Sequence, residues 1–478
     1  MPNGSLRHSR VAVVGLGLEN RPLVRFLLRE EAFVTAFDRK ERSQMEPFAA
    51  AVQRQGVELH LGGDHMRHLA AGHYDLVVLT PGMVEHQPEI QSAVGPQVPV
   101  VGQMNLFFAA CRAPIIGITG TSGKSTTTSL IGSILRQHGE RPTYVGGNIG
   151  RVLIEEVRAI PARAWVVLEM SSFQLALLDR SPYLAVFLNI RPNHLDVHGS
   201  MEAYRSAKTN ILRHQKAGDL VVLNADDPAV GSSAGLTPAG PNWFGLDKQA
   251  ASAAAGDSIF ATVEDGWAVI RQGNSRRPVM PTAELPLAGR HNLANVLAAV
   301  AATHLLGVPA QTIRSAVQAF PPLRHRLEVV AERGGVRFVN DSAATTPDRT
   351  VASLACLDRP AILICGGYDK GIPFVELGEA IVRRRLRALV LMGETSGQIE
   401  AAVATASRRF GLPIPPLHRV AGLEQAVADA HRLAQPGDVV LLSPGSASYG
   451  LFASFEERGL RFRQAVAGLD PGPSQRGP

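Results

Sequence analysis

The sequence predicts an α/β protein of three domains, with Rossmann-like folds at both ends of the chain. Apolar runs of about four to seven residues alternate with longer segments of helical periodicity, and this alternation is typical of parallel βαβ units. A chain of 478 residues is also too long for a single domain with one hydrophobic core, since a domain averages about 150 residues. We expect domains over residues 1–110, 111–321 and 322–469, followed by a disordered tail over 470–478.

The composition argues against several classes of protein. The chain is 45% hydrophobic and 19% charged, and its 48 basic and 42 acidic residues form no basic run, so we expect no nucleic-acid partner. Cys111, Cys356 and Cys365 show no CxxC spacing, which argues against a disulfide framework or a cysteine zinc site and favours the cytoplasm. The polar N-terminus does not read as a signal peptide, and no apolar stretch reaches the roughly 18 residues of a membrane span.

The N-terminal domain is predicted from three buried strands that end in polar or glycine-rich turns. These strands are VAVVGLG (11–17), FVTAFD (33–38) and DLVVLTPG (75–82). The turn GLGLEN (15–20) is similar to a dinucleotide fingerprint, with Asn20 in place of the third glycine and Asp38 suitably spaced for a ribose hydroxyl. Taken alone, this turn is compatible with a nicotinamide cofactor, a nucleotide sugar or no ligand.

Two further blocks repeat the alternation of strands and helices. The central block has strands at APIIGITG (113–120), WVVLEM (165–170), LAVFLNI (184–190) and DLVVLNADD (219–227). Short alternating runs over 229–285 predict an antiparallel appendage, and 289–307 predicts a helix with Gly307 as a cap beyond its end. After a stiff hinge at Pro321-Pro322, the third block has strands at VRFVND (336–341), PAILICGG (360–367), ALVLMG (388–393) and DVVLLSPG (438–445).

The loop GITGTSGKSTT (117–127) is the strongest chemical signal in the sequence. Gly117, Gly120 and Gly123 allow a tight turn whose amides face phosphate oxygens, Lys124 supplies positive charge, and Ser125 offers a hydroxyl to magnesium. The first glycine lies one residue earlier than in the common GxxxxGK[ST] pattern. The alternative is a glycine-rich turn that binds nothing, but the order strand, glycines, Lys-Ser-Thr-Thr and helix favours a phosphate-loop ATPase domain.

Three segments after this loop carry further candidates. Glu169 ends an apolar strand, where an unpaired carboxylate is costly, so it either reaches magnesium, caps the next helix or pairs with an arginine. His194 and Asp196 lie in a polar loop, and Lys208 lies in the helix that follows. Each of these last three residues, considered singly, is more typical of an ordinary structural or surface position.

The order of these motifs resembles the Mur ligase family, and within it the ligases that add glutamate to UDP-N-acetylmuramoyl-L-alanine. The resemblance covers nearly the whole chain and rests on VVGLG, the central loop, GGNIG, LEMSSFQL, NHLD, YRSAK, NADD, LAGRHNLANVLAA, HRLE, FVNDS, GGYDK, LLSPGSAS and FEERG, in that order. It implies three α/β domains, which bind the UDP-sugar, ATP and the incoming amino acid in turn.

The resemblance also implies roles for individual residues. The residues implied to bind nucleotide are Gly117, Thr119, Gly120, Thr121, Ser122, Gly123, Lys124, Ser125, Thr126, Asn292, Arg326 and Asp341. Those implied to hold two magnesium ions are Ser125, Glu169, His194 and Lys208, with Lys208 carbamylated, and Lys124, Lys208 and His194 are implied to be catalytic. Gly15, Leu18, Glu19, Asp38, Arg39, Gly82 and Asn148 are implied to bind the UDP-substrate, and Thr345, Lys370, Ser448 and Phe455 to bind glutamate.

The implied reaction is the ATP-dependent formation of an amide bond through an acyl phosphate, in peptidoglycan precursor synthesis. The implied partners are UDP-N-acetylmuramoyl-L-alanine, glutamate and ATP, and we expect a monomer. Water would destroy the acyl phosphate, so closure of the third domain about the hinge is expected before chemistry.

Three departures from the family pattern bear on substrate choice. Ala343 follows the NDS segment where better-known members have a lysine, Tyr368 replaces an acidic residue in GGYDK, and GLGLEN lacks the usual Thr and Gly. D-glutamate and L-glutamate therefore both remain open as substrates.

The alternatives to a glutamate ligase come from other enzymes and from binding proteins. They are sister ligases for alanine, a diamino acid or a dipeptide, folylpolyglutamate synthases, a nicotinamide-dependent oxidoreductase and a non-catalytic nucleotide-binding regulator. The oxidoreductase leaves the central loop unexplained, and a regulator would not need two metal sites.

Overall fold

The computed structural model describes residues 6–17, 19–148, 151–247, 258–287, 289–321 and 323–469. Their strands form three sheets of five, nine and six strands, one for each predicted domain, which confirms the α/β fold class. The predicted tail at 470–478 and Pro322 of the predicted hinge lie outside the described residues.

The N-terminal sheet is entirely parallel. Its strands are β1 (Arg10–Val14), β2 (Phe33–Asp38), β3 (Glu58–Leu61), β4 (Leu76–Leu79) and β5 (Val100–Gly102). Their order is β3-β2-β1-β4-β5, so the connections reverse direction at β1. A crevice forms at such a reversal, beside the carboxyl ends of the strands, where the GLG turn, Asp38 and Thr80 lie. The sequence did not predict β3 and β5, which are short and only partly buried.

Five helices accompany this sheet. They are α1 (Asn20–Arg29), α2 (Arg42–Met45), α3 (Phe48–Gln53), α4 (Gln87–Val94) and α5 (Gln103–Ala110). Helix α1 begins directly after the GLG turn, and its Leu23, Val24 and Leu27 are buried because they recur at helical spacing.

The central sheet is mixed. Its strands are β6 (Ile115–Thr119), β7 (Thr143–Gly147), β8 (Trp165–Glu169), β9 (Leu184–Phe187), β10 (Leu220–Asn224), β11 (Pro241–Phe244), β12 (Ile259–Glu264), β13 (Trp267–Gln272) and β14 (Ser275–Pro281). The order is β14-β13-β12-β11-β10-β9-β6-β8-β7. Among the described strands of this sheet, only the pairings β12–β13 and β13–β14 are antiparallel. The predicted antiparallel appendage over 229–285 therefore continues the main sheet, because its first two strands, β11 and β12, join in parallel. Residues 248–257 of that segment lie outside the described part.

Seven α-helices lie between or after these strands in the described part of the sequence. They are α6 (Lys124–His138), α7 (Ser172–Ala176), α8 (Leu195–His198), α9 (Met201–Arg213), α10 (Pro228–Gly231), α11 (Arg290–Leu305) and α12 (Ala310–Gln318). The predicted cap Gly307 has a φ of 83°, and its amide donates to the carbonyl of His304, as expected of a glycine beyond a helix end.

The C-terminal sheet is parallel except at one edge. Its strands are β15 (Glu328–Arg333), β16 (Val336–Asn340), β17 (Ala361–Cys365), β18 (Ala388–Met392), β19 (Leu417–Val420) and β20 (Val439–Leu442), and its helices are α13 (Pro347–Ala355), α14 (Val375–Arg384), α15 (Ser396–Phe410), α16 (Leu423–Leu433) and α17 (Phe455–Ala467). The order is β15-β16-β20-β17-β18-β19, and only β15–β16 is antiparallel. Separate apolar clusters cover the two faces, as in a doubly wound sheet.

The chain divides into two compact units. The first contains the N-terminal and central sheets, and the second contains the C-terminal sheet together with the segments 192–196 and 285–293. Inside the first unit, one continuous apolar cluster includes Phe26, Phe107 and Ile154.

Ion pairs reinforce the contact between the two domains of the first unit. Arg25 and Arg29 bind Glu155 at 2.9 and 2.6 Å, and Arg158 binds Glu30 at 2.6 Å. The hydrogen bond from Arg25 is the main reason that the pKa of Glu155 is lowered.

In the part of the chain that the structure describes, no helix combines the length and apolar character needed to cross a bilayer. Cys111, Cys356 and Cys365 are all free thiols.

The packing of α14 on α15 gives a test of the fold. A methyl group at Gly378 would lie 2.6 Å from the carbonyl carbon of Ala402, which is backbone. Gly378→Ala should therefore lower the free energy of unfolding of the C-terminal domain by about 1–3 kcal/mol, because two helices must separate. Denaturant unfolding followed by circular dichroism measures this loss.

The control for this prediction is Gly397→Ala in α15, where nothing lies within 4 Å of the added carbon. That variant should be at least as stable as the parent, since alanine favours a helix over glycine by about 1 kcal/mol. Equal stability of the two variants would contradict the close approach of the helices.

Candidate active site

The phosphate-binding candidate is the turn between β6 and α6. Gly123 precedes the first residue of α6 in a left-handed conformation with φ of 85°, and Gly120 has a φ of 156°. A β-carbon at Gly123 would lie 2.2 Å from Oδ1 of Asn295, so only glycine allows this approach to α11. The turn therefore opens on the first amides of α6, and the amino end of a helix attracts anions.

Gly117 has a different role from the one its place in the motif predicts. It lies inside β6, and a β-carbon there would meet Cγ of Pro182 at 2.8 Å and Sδ of Met170 at 2.9 Å. Its small size serves packing within the sheet, and the turn itself begins only after Thr119. This strand position accounts for the unusual spacing of the motif.

Hydrogen bonds from neighbouring segments hold the turn in shape. The amide of Ser122 donates to Oδ1 of Asn189 at 2.8 Å, and Nδ2 of Asn189 donates back to the carbonyl of Ser122 at 3.0 Å. The Thr121 hydroxyl donates to the carbonyl of Arg191 and lies 3.1 Å from the hydroxyl of Tyr204. The Thr119 hydroxyl donates to the carbonyl of Met170 at 2.9 Å. The side chains of Thr119 and Thr121 thus shape the loop, and Thr126 is buried behind it.

Two amino groups converge on one carbonyl of this turn. Nζ of Lys124 donates to the carbonyl of Gly120 at 2.9 Å and to that of Thr121 at 3.0 Å, and Nζ of Lys208 donates to the carbonyl of Gly120 at 3.0 Å. Lys208 is 1% exposed, and its Nζ lies 4.8 Å from the ring centre of Tyr204. Burial, and then the charge of Lys124, push the pKa of Lys208 well below its usual range, although Glu169 opposes this.

Glu169 lies beside these amines at the end of β8. It is 2% exposed, and its Oε1 accepts a 2.9 Å hydrogen bond from Nδ2 of Asn148. Its Oε2 is buried and accepts no hydrogen bond from any described residue. A β-carbon at Gly147 would lie 2.3 Å from the carbonyl of Glu169, so the glycine lets β7 place Asn148 against the carboxylate. Within the described residues, Ser171 and not Glu169 caps α7, and the side chain that hydrogen-bonds to Glu169 is that of Asn148 and not an arginine.

The donor set fits a magnesium ion only in part. A buried carboxylate oxygen without a hydrogen bond is a suitable ligand for a hard cation. However, no group of three His, Cys, Asp or Glu side chains among the described residues could hold a metal. A metal here would need further oxygen ligands, from Ser125, from a nucleotide or from a modified lysine.

His194 and Asn292 fall in the two short segments that group with the C-terminal sheet. His194 has a φ of 54°, which is uncommon for a residue other than glycine. Arg326 and Asp341 belong to the same unit. The family resemblance implies that all four residues contact the nucleotide or its metal, whereas Lys124, Ser125, Glu169 and Lys208 belong to the first unit.

Asp341 is the centre of a buried network. Its carboxylate accepts hydrogen bonds from the hydroxyls of Ser353 and Ser443 at 2.6 and 2.8 Å and from the amide of Leu327 at 3.3 Å. Burial nevertheless raises its pKa. Arg326 lies between His325 and Leu327, whose φ angles of 62° and 47° make a left-handed turn. Asp341 therefore fixes the turn that presents Arg326.

Three segments of the C-terminal domain carry the predicted glutamate residues. Thr345 follows the NDS segment, Lys370 lies in the loop after β17, and Ser448 and Phe455 flank the turn before α17. The amide of Tyr368 donates to the carbonyl of Ala447 at 3.0 Å, and the Ser342 hydroxyl donates to the carbonyl of Phe455 at 2.8 Å. These two hydrogen bonds, one between backbone groups and one from a side chain, bring the three segments together.

Arg458, which sequence reasoning did not single out, joins two of these segments. It is completely buried, and its guanidinium donates to the hydroxyl and carbonyl of Ser342 and to the carbonyls of Ser446 and Ala447. Burial lowers its pKa to about 9. The one sequence feature that could have pointed to Arg458 is its place in FEERG, since the burial of a charged residue is not visible in a sequence.

The N-terminal crevice is built around Asp38. Its carboxylate accepts hydrogen bonds from the amides of Leu16 at 2.6 Å and Lys40 at 2.9 Å. Asn20, in place of the third glycine, donates to the carbonyl of Gly15 at 2.8 Å. A β-carbon at Gly15 would lie 2.4 Å from Cγ2 of Thr80, so the turn passes directly over the end of β4.

The remaining candidates for the UDP-substrate differ in their surroundings. Oε1 of Glu19 accepts a 2.7 Å hydrogen bond from Gln174, and burial raises the pKa of Glu19 to about 7. Arg39 is exposed, nothing lies within 4 Å of a β-carbon at Gly82, and Leu18 lies outside the described residues.

Comparison with known proteins gives one consistent result. Residues 9–102 match the Mur ligase MurD-like N-terminal domain, 118–303 the Mur ligase middle domain, and 325–445 the Mur ligase glutamate ligase domain. The UDP-N-acetylmuramoylalanine–D-glutamate ligase of Symbiobacterium thermophilum is 45% identical over 460 residues, covering 96% of this chain and 98% of that protein. The ligase of the same name from Acetivibrio thermocellus is 38% identical, covering 97% of each chain.

Solved structures agree on the fold. The alanine ligase MurC of Thermotoga maritima is 19% identical with a TM-score of 0.59, covering 96% of this chain and 99% of that one. A MurF structure from Acinetobacter baumannii is 17% identical with a TM-score of 0.58, covering 95% of this chain and 93% of that one. The three matched domains and the full-length relatives together establish that this chain belongs to the Mur ligase family.

Proposed function

We propose that this ligase joins D-glutamate to UDP-N-acetylmuramoyl-L-alanine, with ATP converted to ADP and phosphate, in the cytoplasmic synthesis of peptidoglycan precursors. The observation that carries the proposal is the convergence of Lys124 and Lys208 on the Gly120 carbonyl beside the buried carboxylate of Glu169. The full-length relatives bear the name of a D-glutamate ligase, which supports this choice of amino acid. We expect a monomer.

The first step is phosphoryl transfer. The carboxylate of the substrate's L-alanine attacks the γ-phosphorus of ATP, the bond to the bridging oxygen breaks, and ADP leaves. Lys124 lies on the loop, where it donates to the carbonyls of Gly120 and Thr121, and it is proposed to turn toward phosphate oxygens when ATP binds. Arg326, presented by its left-handed turn, is proposed to reach the nucleotide from the C-terminal domain.

The second step is acyl transfer. The amino group of glutamate attacks the carbonyl carbon of the acyl phosphate, the carbon–oxygen bond to phosphate breaks, and the amine loses a proton. Exclusion of water matters here because the acyl phosphate would otherwise hydrolyse. Lys370 and the segments of Thr345, Ser448 and Phe455 are proposed to hold the glutamate.

Magnesium would be held by Ser125, Glu169, His194 and a modified Lys208. It would supply positive charge to offset the crowded phosphate oxygens. The carboxylate of Glu169 is held by Asn148 so that its second oxygen stays available.

Carbamylation of Lys208 explains how a buried lysine can serve a cation site. A neutral amine attacks carbon dioxide, a nitrogen–carbon bond forms, one proton is lost, and the product is an anion. The lowered pKa of Lys208 favours the neutral amine that this reaction needs. The modification also removes the repulsion between Lys208 and Lys124.

A second candidate substrate is L-glutamate. Ala343 and Tyr368 differ from the pattern of better-known members, and both lie in segments proposed to form the amino-acid pocket. L-glutamate is therefore tested beside D-glutamate. The nicotinamide alternative has no comparable support, because the turn after β1 lies in a domain of the Mur ligase type.

The direct test measures phosphate release with UDP-N-acetylmuramoyl-L-alanine and ATP, in the presence of D-glutamate, L-glutamate or neither. We expect release that depends on D-glutamate, with the dipeptide product confirmed by mass spectrometry. Dependence on L-glutamate alone would favour the second candidate. Release with neither enantiomer would contradict a glutamate ligase.

The carbamate makes a separate prediction. Lys208→Ala should lose at least about 100-fold in kcat, as expected when an anion that orients the metal is removed. Added acetate or propionate should restore part of the activity by occupying the cavity as a carboxylate. The control is Lys216→Ala, which removes an exposed lysine shortly after the end of α9 and should keep full activity. Full activity of Lys208→Ala would exclude the carbamate.

The pH dependence of ligand binding tests Lys370. Burial, and then the charge of Arg349, lower the pKa of Lys370 to about 8. Below that pH the amine is charged and attracts a carboxylate, and above it the charge is lost. The inhibition constant of glutarate, a dicarboxylate without an amine of its own, should therefore rise about tenfold per pH unit above about 8. In Lys370→Ala, glutarate should inhibit only weakly, and its inhibition constant should not rise above about pH 8. An unchanged rise in that variant would assign the pH dependence to another group.

A further inference from the structure

Glu19 stands where the turn after β1 enters α1, but its side chain does not cap that helix. It makes no hydrogen bond to the described amides at the start of α1. Instead, Oε1 of Glu19 accepts a 2.7 Å hydrogen bond from Nε2 of Gln174 in α7. A carboxylate before a helix ordinarily binds its first amides, and so does an anionic ligand. Glu19 therefore does not compete with an anion for the amino end of α1.

Gln174 is itself held in place by the capping of α7. Its Oε1 accepts from the amide of Ser171 at 2.9 Å, and its own amide donates to Oγ of Ser171 at 3.1 Å. Because Oε1 is fixed in this way, Nε2 is the group of Gln174 that is directed at Glu19. A continuous series of hydrogen bonds thus joins the turn after β1 to Ser171, two residues after the end of β8 at Glu169.

The second oxygen of Glu19 lies at a small gap between the N-terminal and central domains. This Oε2 is buried and accepts no hydrogen bond from any described residue. Gln103 of α5 lines the same gap, and its Oε1 is likewise buried without a donor among the described residues. The other described residues that line the gap are all uncharged, and they are Met104, Phe107, Gly147, Val152, Leu153 and Leu168. Two acceptor oxygens therefore line one apolar gap that no described cation lines.

These surroundings favour the protonated carboxyl group of Glu19. Burial raises the pKa of Glu19 to about 7, although the hydrogen bond from Gln174 opposes this rise. A proton on Oε2 would make this oxygen a donor at the gap where Gln103 offers an acceptor. It would also remove a negative charge from the turn that is proposed to bind the phosphates of the UDP-substrate. The neutral form thus satisfies both the buried gap and the proposed ligand.

We propose that Glu19 is a positioning residue of the UDP-substrate site, where it ties the turn after β1 to α7 in its protonated form. The inference rests on the proposed function and changes one of its assignments, because the family resemblance implies a direct contact between Glu19 and the substrate. A neutral Glu19 bound to Gln174 holds the turn against the central domain without repelling a diphosphate at the amino end of α1. Ionisation of Glu19 would place a like charge close to that diphosphate and weaken its binding.

The protonation of Glu19 is tested without any substrate. The infrared difference between the parent protein and Glu19→Gln should show the carbonyl band of a protonated carboxyl group at about pH 6. This band should disappear with a midpoint at about pH 7. Absence of the band at the lower pH would overturn the proposal.

Thermal unfolding gives a second measure of the same proton. The folded protein keeps the proton of Glu19 up to about pH 7, whereas an unperturbed glutamate loses it at about 4.5. Stability falls with rising pH wherever the folded state binds more protons than the unfolded state. The melting temperature of the parent should therefore fall relative to that of Glu19→Gln between these two pH values. A constant difference across this range would contradict a protonated Glu19.

The positioning role is tested by calorimetric binding of UDP-N-acetylmuramoyl-L-alanine without ATP or glutamate. In the parent, the dissociation constant should rise at least about threefold between about pH 6 and about pH 8.5, because ionised Glu19 repels the diphosphate. Glu19→Gln should lack this rise, since its side-chain oxygen accepts from Gln174 but carries no charge. Glu19→Ala should bind about tenfold more weakly at about pH 6, as expected for the loss of a hydrogen bond that holds the turn, with ATP binding unchanged.

Controls separate this inference from the proposed function. A parent protein that binds no UDP-N-acetylmuramoyl-L-alanine at any pH would reject the proposed substrate, while the infrared and unfolding measurements would still decide the state of Glu19. Glu89→Gln, which removes an exposed carboxylate in the first turn of α4, should behave like the parent in every measurement. Weaker binding by Glu19→Gln at about pH 6 would assign a direct substrate contact to the carboxyl group and overturn the proposal. An equal pH dependence of binding in the parent and in Glu19→Gln would overturn it as well.

Discussion

The carbonyl of Gly120, to which Lys124 and Lys208 both donate, is the contact on which the first unit's chemistry depends. Burial, and then the charge of Lys124, lower the pKa of Lys208 beside this shared acceptor. The hydrogen bonds hold the phosphate loop in shape, and the lowered pKa favours the neutral amine of Lys208. A negatively charged group beside the two amines would relieve their repulsion, as the proposed nucleotide and the proposed carbamate both would.

Glycines make this arrangement possible at two places of close approach. Gly123 allows α11 to bring Asn295 against the loop, and Gly147 allows β7 to bring Asn148 against Glu169. A larger residue at either position would push the neighbouring element away. The cost of burying Glu169 is then offset by one hydrogen bond from Asn148, which leaves its second oxygen for a cation.

The C-terminal domain uses buried polar side chains to position its loops. Asp341 accepts from Ser353, Ser443 and the backbone beside Arg326, and Arg458 joins the segments of Ser342 and Ala447. Each such group is costly to bury, and the hydrogen bonds that offset the cost also fix the loop geometry. These networks hold the turn of Arg326 and the segments that contain Thr345 and Ser448, and Arg349 donates to the carbonyl of Ala343 in one of those segments.

The sequence by itself determined the α/β class, three blocks of strands, the phosphate loop and the family, because periodicity and motif order are local properties. It missed β3, β5, β7, β15 and β19, whose residues are largely not fully buried and so lack continuous apolar runs. It also expected Gly117 to turn toward phosphate, whereas only the folded sheet shows this glycine packed on Met170 and Pro182. The tertiary structure alone decided that Asn148 donates to Glu169 and that Asn189, Arg349 and Arg458 bond to the segments of other predicted residues, because burial and contacts between distant segments are not encoded in any local pattern.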